Sequence, residues 1–424
     1  MSINDFFICQ SKIDELSNCG ILISYLDSFA DWLTKQYYPR SEICRHISQV
    51  AHFSYYLKGF PITSIESIND YIDKFLYNHL PHCQCKGWRQ PKTSQHYSFS
   101  INRFKKYLSQ CHGISFKYET FAYAEIHKKY LHWISEKRLL KIRSIESHSH
   151  YLKKFLNWYS NESGSKDLRE LKAYDVENFF IKSMSRGSKS SKQLLQGTLR
   201  GFFDYCFEQR HIPRNLGYSL PTIRTYQLST VPKSIKDAEA IKLLKSIDRS
   251  KEGGIRAYAI VQLLYTYGVR GGQIRALKLE DINWHQDKIY FSPLKGGKSG
   301  FFPLTVEVGN ALIDYLQNVR KKSHHQEVFL TLKAPISALK TSKCLSMIVG
   351  AEMVKAHIQS PSLGTHCFRH GFVSRLLKQG ESLKHIADLV GHRRIQTTFL
   401  YTKIDFNSLS TIALELPEVE NENL

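Results

Sequence analysis

The sequence predicts a mainly α-helical protein with a small β-sheet in its C-terminal part and helical modules before it. Three observations carry this. Apolar residues recur at helical spacing in segments such as ILISYLDSFADWL (21–33) and RHISQVAHFSYYL (45–57). Two aromatic stretches, KIYFSP and SGFFPL, flank LKGGK and read as a hairpin. The helical pattern of residues 21–115 also recurs, weakly, over 116–217.

Taken in order, residues 1–20 read as a short helical lead-in. The first module continues with SIESINDYIDKFLYNHL (64–80), a helix that Ser64 or Ser67 would cap, then a loop, PHCQCKGWRQPKTSQ, and FSINRFKKYLSQC. In the second module SHSHYLKKFLNWY echoes RHISQVAHFSYYL, and Phe202 and Tyr205 echo Phe104 and Tyr107. The expected domains are 1–115, 116–217 and 234–405. A basic linker (218–233) carrying Pro221 and Pro232 and a C-terminal tail (406–424) complete the chain. Ser234 is the expected N-cap of the last domain's first helix. Helices follow at 254–267, after the GVRGG turn, through TVEVGNALIDYLQNVRKK, and at about 345–357, 366–379, 381–389 and 394–402. Strand and loop are expected around 324–343.

The chain has 424 residues, a formal charge of +21 and a pI near 9.4. Such an imbalance points to a polyanion, and binding through Lys and Arg to phosphates weakens steeply with salt. No lipid anchor or basic amphipathic helix argues for a membrane surface. The longest apolar run, near 257–269, is broken by Gln262 and is too short to span a bilayer. The N-terminus contains acidic residues and lacks a continuous apolar run, so it does not read as an export signal. Nine scattered cysteines then suit a reducing, cytoplasmic setting with free thiols.

The stretch 364–402 concentrates the chemistry. His366 and Arg369 are three apart and share a helix face. A guanidinium fork fits phosphate oxygens in pairs, which an ammonium does not. Gly391-His392 and Tyr401 follow, while Arg270 and Lys295 lie upstream. The glycines beside Arg270 (Gly268, Gly271 and Gly272) suggest close backbone approach to a ligand.

The order Arg270, Lys295, His366, Arg369, His392, Tyr401 resembles the tyrosine recombinase (phage integrase-type) family, and the extra N-terminal module resembles those of transposon-encoded members. The resemblance rests on TYGVR (266–270), LKGGKSGFFPL (294–304), THCFRH (365–370), LVGH (389–392) and TTFLYT (397–402). It covers about 235–405 strongly and 120–217, the core-DNA-binding module, less so. It implies an integrase-like catalytic domain that cuts and rejoins double-stranded DNA by transesterification. Tyr401 would be the nucleophile and form a 3′-phosphotyrosine. Arg270 and Arg369 would clamp the phosphate, His366 would accept the phenol proton, and His392 would hold a phosphate oxygen. Lys295, with Lys298 as rival, would protonate the leaving 5′ oxygen. No cofactor is implied, and no metal, because two arginines neutralise the developing charge. Integration or transposition of a mobile element is the implied task. The expected partners are DNA and a homo-tetramer or mixed tetramer with partner recombinases. The tail would dock on a neighbour through Leu409, Ile412, Leu414 and Leu416.

One departure stands out: Gln273 replaces an acidic residue expected three positions after Arg270, which puts the orientation of Arg270 in question. It supports a second reading, a site-specific DNA-binding accessory protein that cleaves weakly or not at all. A third, topoisomerase-like relaxation, shares the chemistry without synapsis. In the first module Lys86, Trp88, Arg89, Arg103, Lys105 and Lys106 suit phosphate contact, with aromatic core and solvated charge as the alternative. His82, Cys83 and Cys85, with Cys111 and His112, raise the question of zinc. Cys-x-Cys is not the usual knuckle spacing, so free thiols in a loop are preferred.

Overall fold

Among the described residues helices form where the apolar spacing is helical, with a notable exception near residue 70. The computed structural model describes residues 5–7, 10–62, 64–85, 94–116, 122–163, 167–184, 188–224, 232–293, 300–391 and 396–401. Helices α1 (Gln10–Ser17), α2 (Ile23–Lys35), α3 (Arg40–Leu57) and α4 (Ser94–His112) come first. They are followed by α5 (Ala124–Arg138), α6 (Ile142–Ser163), α7 (Ala173–Met184) and α8 (Lys189–Glu208). Next come α9 (Asp237–Ser246), α10 (Glu252–Tyr267) and α11 (Gly271–Ala276). An antiparallel sheet, β1 (Ile282–Asn283), β2 (Lys288–Phe291) and β3 (Gly300–Pro303), precedes α12 (Val306–Asn318). The last helices are α13 (Ser342–Lys355), α14 (Thr365–Lys378), α15 (Leu383–Val390) and α16 (Gln396–Phe399).

The chain divides into two compact units. One comprises Met1–Phe60, Phe75–Tyr107 and Gln227–Leu424; the other comprises Pro61–Lys74 and Leu108–Tyr226. In the second, Tyr130, Phe155, Phe179 and Phe202 form the centre of an aromatic core, with Phe202 meeting Tyr130 edge-on at 5.4 Å. In the first, Phe104 meets Phe29 edge-on at 5.1 Å, and Tyr107 is buried beside them. The echoed aromatic pairs are therefore core residues.

The described basic residues of the first module bear on the open choice between phosphate contact and a solvated face. Lys105 is buried, and Arg103 lies over Tyr38 and Phe99, 4.5 and 4.3 Å from the ring centroids, while donating to His46 Nε2 at 3.1 Å. Stacking has absorbed this guanidinium; Lys106 alone of the three stays exposed. Lys86, Trp88 and Arg89 lie outside the described residues, as does the tail.

The exception is 64–80. It forms a 3₁₀ stretch (Glu66–Tyr71), then a π-helical turn (Lys74–His79) and a 3₁₀ turn (Leu80–His82), rather than an α-helix. Neither serine caps an α-helix; Ser67 Oγ instead donates to the Ser64 carbonyl. The wider turn places Phe75 and His79 against His52 of α3. The cysteine-histidine grouping also differs from expectation. Cys83 Sγ lies beside His52 Nε2, and Cys85 Sγ beside His79 Nε2. His82, Cys111 and His112 are exposed and outside the group. His82 follows His79 by three residues across the change from π to 3₁₀ geometry, which turns it away.

In the unit that carries the C-terminal helices, α10 is central and packs against α9, α12, α13 and α14. The hairpin is as read, with Ile289 opposite Phe302, and β1 extends it by a third strand too short to show periodicity. Residues 324–343 contribute only isolated bridges, such as Leu330–Ala338. Ser234 does not cap α9: Lys236 occupies that position without a side-chain cap. Among the described residues no helix is long and apolar enough to cross a membrane.

Gly268 ends α10 in the left-handed region (φ +57°), and a Cβ there would stand 2.4 Å from Phe372 Cδ1 of α14. Gly268→Ala should therefore cost about 2–4 kcal/mol, combining left-handed strain with overpacking. Gly253→Ala in the same helix meets only the Leu332 side chain, at 4.0 Å, and should be neutral or stabilising. Denaturant unfolding of both variants checks the contrast.

Candidate active site

Arg270 leaves α10 one turn of loop after Gly268 and stands as the N-cap of α11. Its backbone N–H donates to Gln273 Oε1 at 3.1 Å, and its carbonyl accepts from the Gln273 N–H at 2.7 Å. Gln273 Nε2 donates in turn to the Ser292 carbonyl beyond β2. The amide that departs from the family pattern thus fixes the Arg270 backbone and ties it to the sheet. Gly268 and Gly271 serve protein packing rather than ligand approach: α14 fills the space beside Gly268 through Phe372 and beside Gly271 through Thr365.

Arg369 projects from α14 and is buried. Its Nη1 donates to the Gly268 carbonyl at 3.0 Å and its Nη2 to the Val390 carbonyl at 2.5 Å. The Arg270 guanidinium reaches the Gly391 carbonyl at 3.4 Å. Two cations therefore meet the C-terminal ends of α10 and α15, where helix dipoles leave partial negative charge. Among the described residues neither arginine forms an ion pair with a carboxylate. Burial, then the neighbouring charge of Arg270, draws Arg369 down to about 10, with the Tyr401 phenol opposing. Arg270 is also lowered by burial. A cavity of about 200 Å³ opens beside Arg369, lined also by Gln273, Phe302, Asp388 and Gly391.

Tyr401 is 3% exposed and packs with Phe372, Val373, Ile386 and Val390. Burial pushes its phenol up to about 12; Arg369 and Arg270 pull the other way, which locates both guanidinium groups close enough to act on it. Its hydroxyl is hydrogen-bonded to His370 Nδ1 at 2.5 Å. His370 is drawn down to about 4 by burial, then by His366 and Arg369. Both partners are thus neutral near neutral pH.

The structure accordingly brings together Arg270, Arg369 and Tyr401 and adds His370, which the motif search passed over. His366, the expected proton acceptor, is exposed on α14, one turn before His370. The available signal was the i, i+4 spacing of the two histidines in THCFRH. Lys295, Lys298 and His392 lie outside the described residues.

Residues 233–408 match the family model described as the phage integrase family. The putative integrase/recombinase y4rA of Sinorhizobium fredii is 29% identical over 404 residues, 94% of this chain and 95% of that protein. From the same organism, putative integrase/recombinase y4gC is 35% identical over 191 residues, 45% of this chain and 98% of that protein. Tyrosine recombinase XerD of Listeria monocytogenes is 26% identical over 280 residues, 65% of this chain and 92% of that one. Among solved structures, the XerH site-specific recombinase bound to palindromic difH substrate shares the fold. Its TM-score is 0.50 at 18% identity, over 80% of this chain and 93% of that one.

His370 supplies a pH test. Its folded value, about 4, lies below the ordinary 6.5. Between these limits the unfolded chain binds more protons, so stability rises with pH across the window. The contribution is complete above 6.5 and is lost as pH falls towards 4. Wild-type protein should therefore lose more unfolding free energy across that interval than His370→Gln; parallel curves would contradict the assignment.

Proposed function

The chain belongs to the phage integrase family, the tyrosine-type site-specific recombinases, and on that premise we propose that it cuts and rejoins double-stranded DNA through a covalent 3′-phosphotyrosine on Tyr401. The observation that carries the reading is the convergence of two guanidinium groups without a carboxylate partner, among the described residues, on one buried phenol. A scissile phosphate supplies the missing anion. Arg270 and Arg369 bind its non-bridging oxygens and stabilise the charge that grows on them as phosphorus becomes five-coordinate. Attack forms the Tyr401 Oη–P bond and breaks the P–O5′ bond. The phenol proton passes to His370 and a proton from Lys295 goes to the departing 5′ oxygen; His392 holds a phosphate oxygen. Reversal by a 5′-hydroxyl from another strand rejoins the backbone, with bond energy kept in the phosphotyrosine.

The net charge of +21 favours a polyanion. Similarity to y4rA along nearly the whole chain favours a protein longer than XerD, whose match leaves about a third of this chain uncovered. We assign the task to integration or transposition of a mobile element, by a tetramer of this chain or of it with related recombinases on paired DNA sites. Gln273 was the one residue favouring a non-cleaving accessory role. Its grip on the Arg270 backbone favours the enzyme instead.

On a nicked suicide substrate the wild-type chain should accumulate a covalent DNA adduct, and Tyr401→Phe should form none while still binding DNA. Arg369→Ala or Arg270→Ala should slow adduct formation by about 10²–10³. His370→Ala should slow it more than His366→Ala. An adduct that persists in Tyr401→Phe would overturn the proposal; specific binding without any wild-type adduct would establish the accessory role.

A further inference from the structure

We propose that His52, His79, Cys83 and Cys85 hold one zinc ion that staples the first N-terminal helical region. Their ligating atoms all lie within 4.8 Å of one another. Cys83 Sγ is 3.4 Å from His52 Nε2, and Cys85 Sγ is 3.6 Å from His79 Nε2. A tetrahedral ion with its usual bond lengths to thiolate sulfur and imidazole nitrogen has S···N edges of about 3.5 Å and an S···S edge of about 3.8 Å. The four atoms therefore already stand near the corners such an ion requires.

The surroundings fit a metal site as well. Both histidines present Nε2 inward. His52 Nδ1 is hydrogen-bonded to the Tyr97 hydroxyl at 3.1 Å, an outer contact that fixes the ring's orientation. Phe75 packs against both imidazoles, at 5.4 Å from each, and Tyr56 lies 4.7 Å from His79. His52 and Cys83 are buried and His79 and Cys85 half-buried, so the centre is largely shielded from solvent. Binding expels both thiol protons to solvent. Two thiolates, two neutral imidazoles and a divalent cation then sum to zero charge, the form that burial tolerates best. Four protein ligands leave no open position for a reacting water, so the role is structural and separate from DNA cleavage.

The site also accounts for the irregular chain at 74–85. A π-helical turn (Lys74–His79), a 3₁₀ turn (Leu80–His82) and the non-helical residues through Cys85 follow one another without a regular α-helix to order them. An ion bound by α3 and by both halves of that segment supplies the constraint, and its binding energy becomes folding energy.

The experiment uses full-length chain, purified without a polyhistidine tag, and measures zinc by mass spectrometry. One zinc per chain is expected. After removal by a chelator, cobalt(II) should give the strong ligand-field bands of a tetrahedral ion with thiolate-to-cobalt charge transfer, and thermal stability should fall in the metal-free form. Cys83→Ser combined with Cys85→Ser should lose the metal, His82→Ala with Cys111→Ser should keep it, and Tyr97→Phe should weaken affinity about 10–100-fold. If the double serine variant fails to fold, the wild-type cobalt spectrum decides alone. A zinc-supplemented chain that carries none, cobalt bound without charge transfer, or zinc retained in the double serine variant would each overturn the proposal.

Discussion

The arrangement around Arg369 depends on one requirement: a full positive charge must be held inside the protein by backbone carbonyls. Its two partners, the carbonyls of Gly268 and Val390, belong to the ends of α10 and α15. Helix ends offer only partial negative charge, so they balance a guanidinium incompletely. A second guanidinium, Arg270, sharpens the deficit and is part of the reason Arg369 is drawn down to about 10. Folding alone would not favour two such cations together. The arrangement makes physical sense when an anion arrives to complete it, and a fold that keeps two forks rigid before that moment lowers the reorganisation needed during reaction.

That requirement reaches back into local sequence. For its carbonyl to face Arg369, α10 must stop at a left-handed residue, and Gly268 supplies it at no steric cost. Gly391 ends α15 in the same way, and its carbonyl meets Arg270. Ser382 starts α15 by accepting the His385 N–H, so this short helix is capped at both ends. Arg375, further along α14, pairs with Asp237 of α9 and donates to the Tyr265 carbonyl of α10, which fixes α14 against both helices. The register of Arg369 is thereby set from several directions.

How much was legible beforehand varies with distance along the chain. Helix-spaced apolar runs and the hairpin follow from local periodicity, and their observed bounds stay close to those expected, as α14 at Thr365–Lys378 illustrates. Arg369 and Tyr401 were visible because residue type and order mark them. His370 was not: a histidine beside an arginine has no local mark, and its importance comes from Tyr401, thirty-one residues later. His52 was hidden for the same reason, since it looks like an ordinary member of an apolar helical face until the turn at His79 folds onto it. The roles of Gly268 and Gly271 were misread because the sequence records only that space is needed; whether a ligand or a phenyl ring fills it is a tertiary fact. Gln273 shows the converse: its side chain preserves a link to Arg270 through the main chain, which charge comparison alone overlooks.

The phenol and imidazole pose the remaining chemical problem. Burial pushes Tyr401 up to about 12 and draws His370 down to about 4, so in the DNA-free chain the proton stays on the phenol. On the proposed reading, Tyr401 would therefore be a weak nucleophile until something changes its surroundings. A phosphodiester set against the two arginines would do so from both sides. Its negative charge would stabilise an imidazolium at His370, and the phenol oxygen would lose basicity as it bonded to phosphorus, so the proposed proton transfer would accompany bond formation rather than precede it. On the same reading, burial of Tyr401 would also keep out the water that would compete with a 5′-hydroxyl for the phosphotyrosine. The low-dielectric setting that would suppress the proposed reaction in the absence of DNA would thus protect its intermediate once DNA has bound.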